Sequence, residues 1–333
     1  MTRALSRRIF VGATIAAPAI LTFGRGSFAQ AQTTLSLGHG AAPGNPRHVG
    51  AEKFSEIVKE KTGGRIAVRV APSAQLGDDA AMLTGIRTGT LDFSINSQGA
   101  SSAVLPELAA LGLPFLFANT SAAYKVVDGA IVDELGKRLD AAGMVSLGFW
   151  DNGIRHTTNS KRAISKPDDL KGLKLRTPPD PMTIDIFQAL GAATQQIAFA
   201  ELYVALQQGV VDGQENPLAN IHSAKLFEVN KFVSLTGHKW ECNPVLASKV
   251  AWGKLAPADQ TIVRDAMKEA GNLQRKLMQD IDVKLLGEFK ANTAVAVNEV
   301  DQKPFREATA AVAAKWEARP FGDFVKRLRA AAA

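Results

Sequence analysis

The chain has 333 residues, of which 46% are hydrophobic and 21% are charged. These proportions are typical of a globular protein with a large core, and they exclude a disordered or collagen-like chain. The formal net charge is +7, but four arginines lie in the first 31 residues, which contain no acidic side chain. Without them 35 basic and 32 acidic side chains remain, and a balance of +3 gives no indication of nucleic-acid binding.

The first 31 residues have the pattern of a signal peptide. A basic start is followed by an apolar stretch from Ile9 to Phe23 and then by Ala29-Gln30-Ala31, a small-x-small cleavage pattern. A transmembrane anchor is the alternative, but the apolar stretch is too short for one and is interrupted by Gly12 and Pro18. We therefore expect a cleaved leader and a mature chain that does not span the membrane.

Within this leader, Arg7 and Arg8 stand side by side, preceded by Ser6 and followed by Ile9 and Phe10. Adjacent arginines in this context favour a twin-arginine signal, although a general secretory signal can also contain such a pair. The twin-arginine interpretation predicts a bacterial periplasmic protein.

The first part of the mature chain alternates strand and helix patterns. The predicted order is a strand at 34–37, a helix that begins at Pro46 and stops at Gly63-Gly64, a strand at 66–70, a helix after Asp78-Asp79 and a strand at 91–95. This alternation is typical of an α/β fold with largely parallel strands.

The same alternation continues towards the C-terminus. The sequence predicts a helix near 121–142, a strand near 144–150, a strand at 173–176 and a helix near 200–208. No internal repeat and no linker of biased composition divides the chain. Two lobes joined by strands that cross between them explain this pattern best.

A single long helix is predicted for residues 257–291. Pro257 is placed as a helix start, and apolar residues keep helical spacing from Ile262 to Phe289. Some 35 residues correspond to about 50 Å, which exceeds the diameter of one lobe. We expect this helix to span both lobes; a coiled-coil arm is the alternative.

Motifs for catalysis are absent from the sequence. It contains no Gly-x-Ser-x-Gly elbow, no His-Glu-x-x-His and no phosphate-binding Gly-x-x-x-x-Gly-Lys-Ser/Thr. The five histidines have no metal-ligand spacing, and the only cysteine, Cys242, allows neither an intrachain disulfide nor a multi-cysteine zinc site. We therefore expect a protein that is not an enzyme and uses no cofactor; an exported enzyme stays as an alternative.

Polar residues follow several predicted strands. Arg155 comes after the strand that ends near Trp150, Arg176 closes the strand at 173–176, and Asn216 follows Val211-Asp212-Gly213. Ligands of α/β proteins bind beyond the carboxyl ends of strands, and a guanidinium can hold a carboxylate through two parallel hydrogen bonds. Each arginine could equally be a solvated or structural ion-pair residue.

At these residues the sequence resembles a known family, the extracytoplasmic solute-binding proteins of TRAP transporters, also called the DctP family. The resemblance covers nearly the whole mature chain. It rests on several segments in order: 75–79, 89–92, 113–117, 152–155, 169–176, 201–207 and, as the most specific, 211–217.

The resemblance implies an α/β, two-lobe periplasmic-binding-protein fold with a central cleft and a long helix spanning both lobes. We place lobe I at 33–152 plus 242–281 and lobe II at 153–241 plus 282–333. The implied function is capture of a small organic acid anion and its delivery to a membrane permease pair driven by an ion gradient. A binding protein for an ABC importer and the periplasmic partner of a sensor are the alternatives.

The resemblance also implies roles for individual residues. Arg176 matches the main carboxylate-clamping arginine, Arg155 a second arginine near the ligand, Asn216 an asparagine that hydrogen-bonds the carboxylate, and Phe199 an aromatic that packs on the ligand. Asn216 stands where metal-using members often have an aromatic residue, which argues against a metal. The other expected wall residues are His39, Gly40, Asn96, Ser97, Asn152 and Trp240. We expect the protein to act as a monomer.

Overall fold

The computed structural model describes residues 32–333. The expected signal peptide at 1–31 lies outside the described residues. Nine strands occur in the described chain: β1 (Thr33–His39), β2 (Ile66–Ala71), β3 (Phe93–Ile95), β4 (Met144–Asn159), β5 (Lys174–Thr177), β6 (Ala193–Gln196), β7 (Gly213–Asn216), β8 (Phe232–Ser248) and β9 (Ala296–Glu299).

Thirteen α-helices accompany these strands in the same part of the chain. They are α1 (Pro46–Lys61), α2 (Asp79–Thr88), α3 (Gln98–Ser101), α4 (Glu107–Ala110), α5 (Thr120–Val127), α6 (Ala130–Ala141), α7 (Pro181–Ala189), α8 (Leu202–Gln207), α9 (Leu218–Ser223), α10 (Lys249–Trp252), α11 (Pro257–Ala291), α12 (Gln302–Glu317) and α13 (Gly322–Ala332). None of these helices is both long and apolar enough to cross a membrane.

The strands form one mixed sheet in the order β2-β1-β3-β8-β4-β7-β5-β6, with β9 beside β8. Pairing is parallel within each end of the sheet, as between β1 and β2 or between β5 and β7. In the middle, β8 pairs antiparallel with both β3 and β4, and β4 pairs antiparallel with β7. The expectation of largely parallel pairing is therefore wrong for the centre of the sheet.

Two long strands connect the ends of the sheet. β4 has 16 residues and β8 has 17, and the two pair along most of their length with three register shifts. Sequence analysis placed only the first half of β4 and missed β8. Together these strands are the crossing strands that the two-lobe interpretation required, and the architecture is the two-lobe α/β fold that was expected.

The long helix is confirmed with the bounds predicted for it, Pro257–Ala291. Its first half packs Val263, Ala266 and Met267 into the core that surrounds β1, β2 and α1. Its second half packs Leu285 and Phe289 into a separate core with residues of α8 and α9. The helix therefore spans both lobes and is not a projecting arm.

One predicted helix is in fact two. The segment near 121–142 divides at Asp128-Gly129 into α5 and α6, because Asp128 ends α5 and Gly129 adopts the extended conformation that precedes α6. The two short helices pack Val126, Val127, Leu135 and Leu139 into the largest core of the molecule. Continuous apolar spacing across the break concealed it in the sequence.

Candidate functional site

A cavity of about 70 Å³ lies where both halves of the sheet contribute loops and strand ends. Residues between Gly40 and Ser97 form one part of its wall, and residues between Arg176 and Asn220 form another. Seven of the residues predicted from sequence line it: Gly40, Ser97, Asn152, Arg155, Arg176, Phe199 and Asn216.

Arg176 lies in β5, which runs parallel to β7, so that Arg176 and Asn216 come to the same edge of the sheet. The Arg176 side chain is 2% exposed, and its Nε donates to the carbonyl oxygen of Ile197 at 2.8 Å. No other described residue accepts a hydrogen bond from this guanidinium. Burial lowers the pKa of Arg176 to about 10, so the group is still cationic at neutral pH.

Asn216 and Phe199 stand beside Arg176 in the cavity wall. The Arg176 guanidinium carbon lies 5.9 Å from the centre of the Phe199 ring. The Asn216 amide donates to Gln214 Oε1 at 2.5 Å and accepts from Asn220 Nδ2 at 3.2 Å. An amide nitrogen has two hydrogens, so Asn216 retains one donor for a ligand.

Arg155 also lines the cavity, but carboxylates surround it. Its Nε and Nη2 donate to the two oxygens of Glu215 at 2.5 and 2.6 Å, and its Nη1 donates to Glu241. Burial alone would lower the pKa of Arg155, yet the Glu215 and Glu241 charges outweigh burial and hold it above its usual range. The charge of Arg155 is therefore paired with two carboxylates, whereas Arg176 has no carboxylate partner among the described residues.

Two of the predicted wall positions lie just behind the cavity. His39 is fully buried; its Nδ1 accepts from the Ala41 backbone at 3.2 Å, and burial lowers its pKa to about 3, so it is neutral. Asn96 is also buried and donates to the Asp79 carboxylate at 3.0 Å. Their neighbours Gly40 and Ser97 form the wall in their place, because successive residues of an extended chain point to opposite sides.

Trp240 does not line the cavity, contrary to its expected place. Its Nε1 donates to Asp151 Oδ1 at 2.7 Å, and its ring meets that of Phe117 edge to face at 5.5 Å in the core. Glu241, the next residue of β8, does line the cavity. Since the side chains of a strand alternate between its faces, Trp240 must point away from the cavity.

Sequence analysis missed Arg47, which lines the cavity from the first turn of α1. It is 6% exposed, and its Nη2 donates to Asn152 Oδ1 at 2.7 Å. Among the described residues nothing accepts a hydrogen bond from its buried Nε. Its position could have indicated it, because a cation at a helix N-terminus opposes the helix dipole and needs another reason to be there.

Asp79 was also missed as part of the site. The sequence interpretation placed it only at the start of a helix and in the segment 75–79 of the family resemblance. In the structure it lines the cavity and accepts hydrogen bonds from Ser97 Oγ at 2.7 Å and from Asn96. Burial raises its pKa, and these donors together with the Arg47 charge oppose that shift.

A chain of amide side chains joins the two parts of the wall. Asn152 Oδ1 accepts from Arg47 and from Asn220, and its Nδ2 donates to Glu241 Oε2 at 2.8 Å. Asn45, which caps α1, donates to Asn220 Oδ1 at 3.0 Å and to Ser223 Oγ at 3.1 Å. The N-terminus of α1 is thereby connected to α9, 175 residues further along the chain.

In the part of the chain that the structure describes, no group of three or more His, Cys, Asp or Glu side chains is arranged to hold a metal ion. Cys242 is buried, and its Sγ lies 3.1 Å from Gln98 Oε1.

Comparison with known proteins assigns this architecture to a family. Residues 37–319 match the model of DctP, the bacterial extracellular solute-binding protein family 7. The chain belongs to this family of TRAP transporter solute-binding proteins, whose members are substrate-binding transport proteins and not enzymes.

Individual relatives support this membership. The chain is 60% identical over 311 residues to the uncharacterized protein y4mM of Sinorhizobium fredii, covering 92% of this chain but only 57% of that protein. A TRAP solute-binding protein from Polaromonas with bound D-erythronate superposes with a TM-score of 0.86 at 36% identity, covering 90% of this chain and 99% of that one. A second, from Sulfurospirillum deleyianum with bound succinate, gives a TM-score of 0.86 at 30% identity, with coverage of 90% and 99%.

Proposed function

We propose that the protein captures a small organic acid anion in this cavity, with the ligand carboxylate held by Arg176. The observation that carries the proposal is the state of Arg176, a buried cation whose only hydrogen bond to a described residue is the one from Nε to Ile197. A buried charge is costly unless it is paired, so this guanidinium favours an anionic ligand. Asn216 supplies a neutral donor beside it, and Phe199 packs against the ligand body.

The two arginines have different roles in this proposal. Arg155 is neutralised by Glu215 and Glu241, so it shapes the cavity floor and adds little net charge to it. Arg176 has no such carboxylate partner among the described residues and is the group able to form two parallel hydrogen bonds with a carboxylate. Erythronate and succinate, bound by the two related structures, are both carboxylates, which supports this class of ligand.

The protein then delivers the acid to a TRAP permease. The cavity wall comes from both halves of the chain, so a bound ligand contacts both lobes and stabilises the closed arrangement. We assign lobe I to 33–152 plus 242–281 and lobe II to 153–241 plus 282–333, and we expect a monomer. Uptake of the acid by vesicles containing the permease should require this protein and should fail with Arg176→Ala.

The place of action is the periplasm, reached through a twin-arginine signal at residues 1–31. Membership of an extracellular solute-binding family supports this location. Replacement of Arg7 and Arg8 by lysines should abolish export of the full chain if the signal is of the twin-arginine type. Export that continues through the general secretory route would contradict this part of the proposal.

Arg176 is tested by measuring the thermal stability of residues 32–333 with a panel of organic acids. A ligand at about 1,000 times its Kd stabilises a protein by roughly 4 kcal/mol, which gives a clear shift of the melting temperature. We expect the shift to disappear in Arg176→Ala and to be greatly reduced in Arg176→Lys, because an ammonium cannot reproduce the two parallel hydrogen bonds.

Arg69→Ala is the matched control, because Arg69 is an exposed arginine of β2 that does not line the cavity. It removes one positive charge and should leave the ligand-induced shift intact. An unchanged shift in Arg176→Ala would sink the proposed clamp. The absence of any shift with the wild-type protein across the panel would contradict organic acid binding itself.

A further inference from the structure

The wall formed by residues 40–97 contains two charged side chains that the carboxylate clamp does not use. These are Arg47, in the first turn of α1, and Asp79, the first residue of α2. Both line the cavity, although they come from different helices. Their hydrogen bonding shows what kind of ligand group this wall could accept.

Arg47 retains donor capacity. One terminal nitrogen, Nη2, donates to Asn152 Oδ1, while the other, Nη1, has no acceptor among the described residues. Asp79 retains acceptor capacity. Its Oδ1 accepts from Asn96 Nδ2 and from the Ser97 backbone, but its Oδ2 accepts only from Ser97 Oγ. A carboxylate oxygen can accept two hydrogen bonds, so Oδ2 has room for one more.

The two groups are close enough to interact electrostatically. Burial lowers the pKa of Arg47 and raises the pKa of Asp79, and in each case the charge of the other residue opposes the shift. Nevertheless no hydrogen bond or ion pair joins these two described residues. The Arg47 donor and the Asp79 acceptor therefore both border the cavity, and neither satisfies the other.

Carboxylates already outnumber cations around the cavity. Four cationic side chains and five carboxylates lie in or directly behind its wall: Arg47, Arg155, Arg176 and Lys239 against Asp78, Asp79, Asp180, Glu215 and Glu241. One ligand carboxylate adds a further negative charge to this region, and a second would have to enter beside Asp79. Repulsion between like charges in a partly desolvated site disfavours that second charge.

We propose that Arg47 and Asp79 form a specificity site for a ligand hydroxyl group, so that the solute is a hydroxylated monocarboxylate. This inference rests on the proposed function, since Arg176 supplies the site for the single carboxylate. A hydroxyl accepts a hydrogen bond from Arg47 and donates one to Asp79 at the same time.

Other ligand groups match this wall less well. A second carboxylate accepts from Arg47 but has no proton for Asp79. An unsubstituted alkyl chain displaces water from both charged groups and satisfies neither, which is costly for buried polar groups.

Matched acids test this selectivity on the purified protein by calorimetry at pH 7.5. Erythronate, succinate and butyrate share four carbons; gluconate, adipate and hexanoate share six. We expect the hydroxylated acid to bind at least about tenfold more tightly than the diacid and the alkyl acid of the same length. This is the effect that hydrogen bonds to charged groups usually have.

Equal or tighter binding of succinate or adipate overturns the inference but leaves the carboxylate clamp intact. Failure of all organic acids to bind overturns both proposals.

Two variants assign the selectivity to these residues. In Asp79→Asn, the loss of the charge should weaken binding of the hydroxylated acid about tenfold and bring its affinity closer to that of the diacid. In Arg47→Gln, affinity for the hydroxylated acid should fall by a similar factor, while Arg47→Lys should recover part of it. Arg69→Gln, at an exposed arginine outside the cavity, should change no affinity more than about twofold.

A uniform loss of affinity for all the acids would contradict the assignment. If Asp79→Asn and Arg47→Gln weaken all six acids by the same factor, the residues support the cavity but do not select the hydroxyl group. Far-ultraviolet circular dichroism and the melting temperature without ligand verify that each variant is folded.

Discussion

Arg155 and Arg176 are both buried arginines of the same cavity, yet they should respond differently to mutation. Arg155 donates two hydrogen bonds to the Glu215 carboxylate and one to Glu241. Burial would raise the pKa of Glu215, but Arg155 keeps it well below its usual range, so that Glu215 is ionised. Removal of Arg155 would leave two carboxylates buried together without their main counter-charge.

We therefore expect Arg155→Ala to lower the free energy of unfolding by about 3 kcal/mol or more, the usual cost of breaking a buried ion pair from one side. Arg176→Ala should cost much less, because it leaves no described carboxylate without a partner. Urea denaturation of both variants, without ligand, measures the difference. Equal destabilisation of the two would show that the ion pairs of Arg155 do not distinguish it from Arg176.

Asp282 is a carboxylate of α11 that the structure leaves poorly satisfied. Its Oδ1 is buried without a hydrogen-bond partner among the described residues. Burial and then the nearby Asp151 charge raise the pKa of Asp282 to about 7. The pKa of Asp151 is raised to about 6 by burial, although Tyr124 and Trp240 donate hydrogen bonds to it. Ionisation of Asp282 in the folded protein is therefore unfavourable.

Asp282→Asn should consequently stabilise the protein in a pH-dependent way. The folded-state pKa lies above the unfolded value, so the cost of the aspartate is absent near pH 4 and grows as the pH rises to about 7. Since one pKa unit corresponds to about 1.4 kcal/mol, we expect a gain of up to about 4 kcal/mol at pH 8 and almost none at pH 4, measured by urea denaturation. Asp280→Asn, at an exposed ion pair with Lys276 on the same helix, should change stability by less than about 0.5 kcal/mol at both pH values. A gain for Asp282→Asn that is equal at pH 4 and pH 8 would contradict this explanation.

The long helix α11 fits closely against the crossing strand β4. A Cβ atom added to Gly271 would lie 2.6 Å from Trp150 Nε1, and one added to Gly50 of α1 would lie 2.8 Å from the same ring. Close by, Gln274 accepts from the Asp151 backbone nitrogen and donates to the Asp151 carbonyl oxygen at 2.7 Å. These contacts hold α11 against β4 near the place where its pairing with β8 shifts register, between Asp151 and Gly153.

Two glycines of α11 allow a test of this close fit. Alanine normally stabilises a helix by up to about 1 kcal/mol relative to glycine, and Gly287→Ala should show this gain because nothing lies within 4 Å of its added Cβ. Gly271→Ala should instead destabilise by about 1 to 2 kcal/mol, since overpacking Trp150 outweighs the gain in helix propensity. Opposite shifts of the melting temperature are expected. An increase in both variants would show that α11 does not fit tightly against Trp150.

The two halves of the molecule are joined across the cavity by Asn45, which has two functions. Its side-chain oxygen accepts from the Arg47 backbone nitrogen and caps α1, while its nitrogen donates to Asn220 and Ser223 of α9. With the proposed lobe boundaries, the second set of contacts lies between lobes. These contacts should therefore contribute to the closed arrangement that holds the ligand.

Asn45→Ser separates the two functions, because serine also caps helices but is too short to reach Asn220. We expect ligand affinity to fall by about three- to tenfold, the worth of one or two hydrogen bonds, with little change in the stability of the ligand-free protein. Asn119→Ser is the control, since Asn119 caps α5 in the same way and makes no other side-chain hydrogen bond among the described residues. Isothermal calorimetry measures both; equal affinities would show that Asn45 does not stabilise the closed arrangement.

Local signals in the sequence determined several of the helices and strands, and the family resemblance indicated the class of protein. Pro46 and Gly63-Gly64 bound α1, and Pro257 begins a helix whose apolar spacing continues to Phe289. Such signals act within a few residues, through backbone dihedral angles and through which side of a helix is apolar, so they can be recognised in the chain itself. The strand-end positions of Arg176 and Asn216 likewise indicated two residues that line the cavity.

Only the tertiary structure decided which side chains face the cavity and which of them are already neutralised. Alternation along β8 separates Trp240 from Glu241 but does not say which of them faces the core, since strand pairing determines that. Arg155 and Glu215 are 60 residues apart, and Arg47 is 105 residues from Asn152. Partnerships over such distances depend on the packing of the whole sheet, and they determine that Arg155 is paired with carboxylates, whereas Arg176 has no carboxylate partner among the described residues.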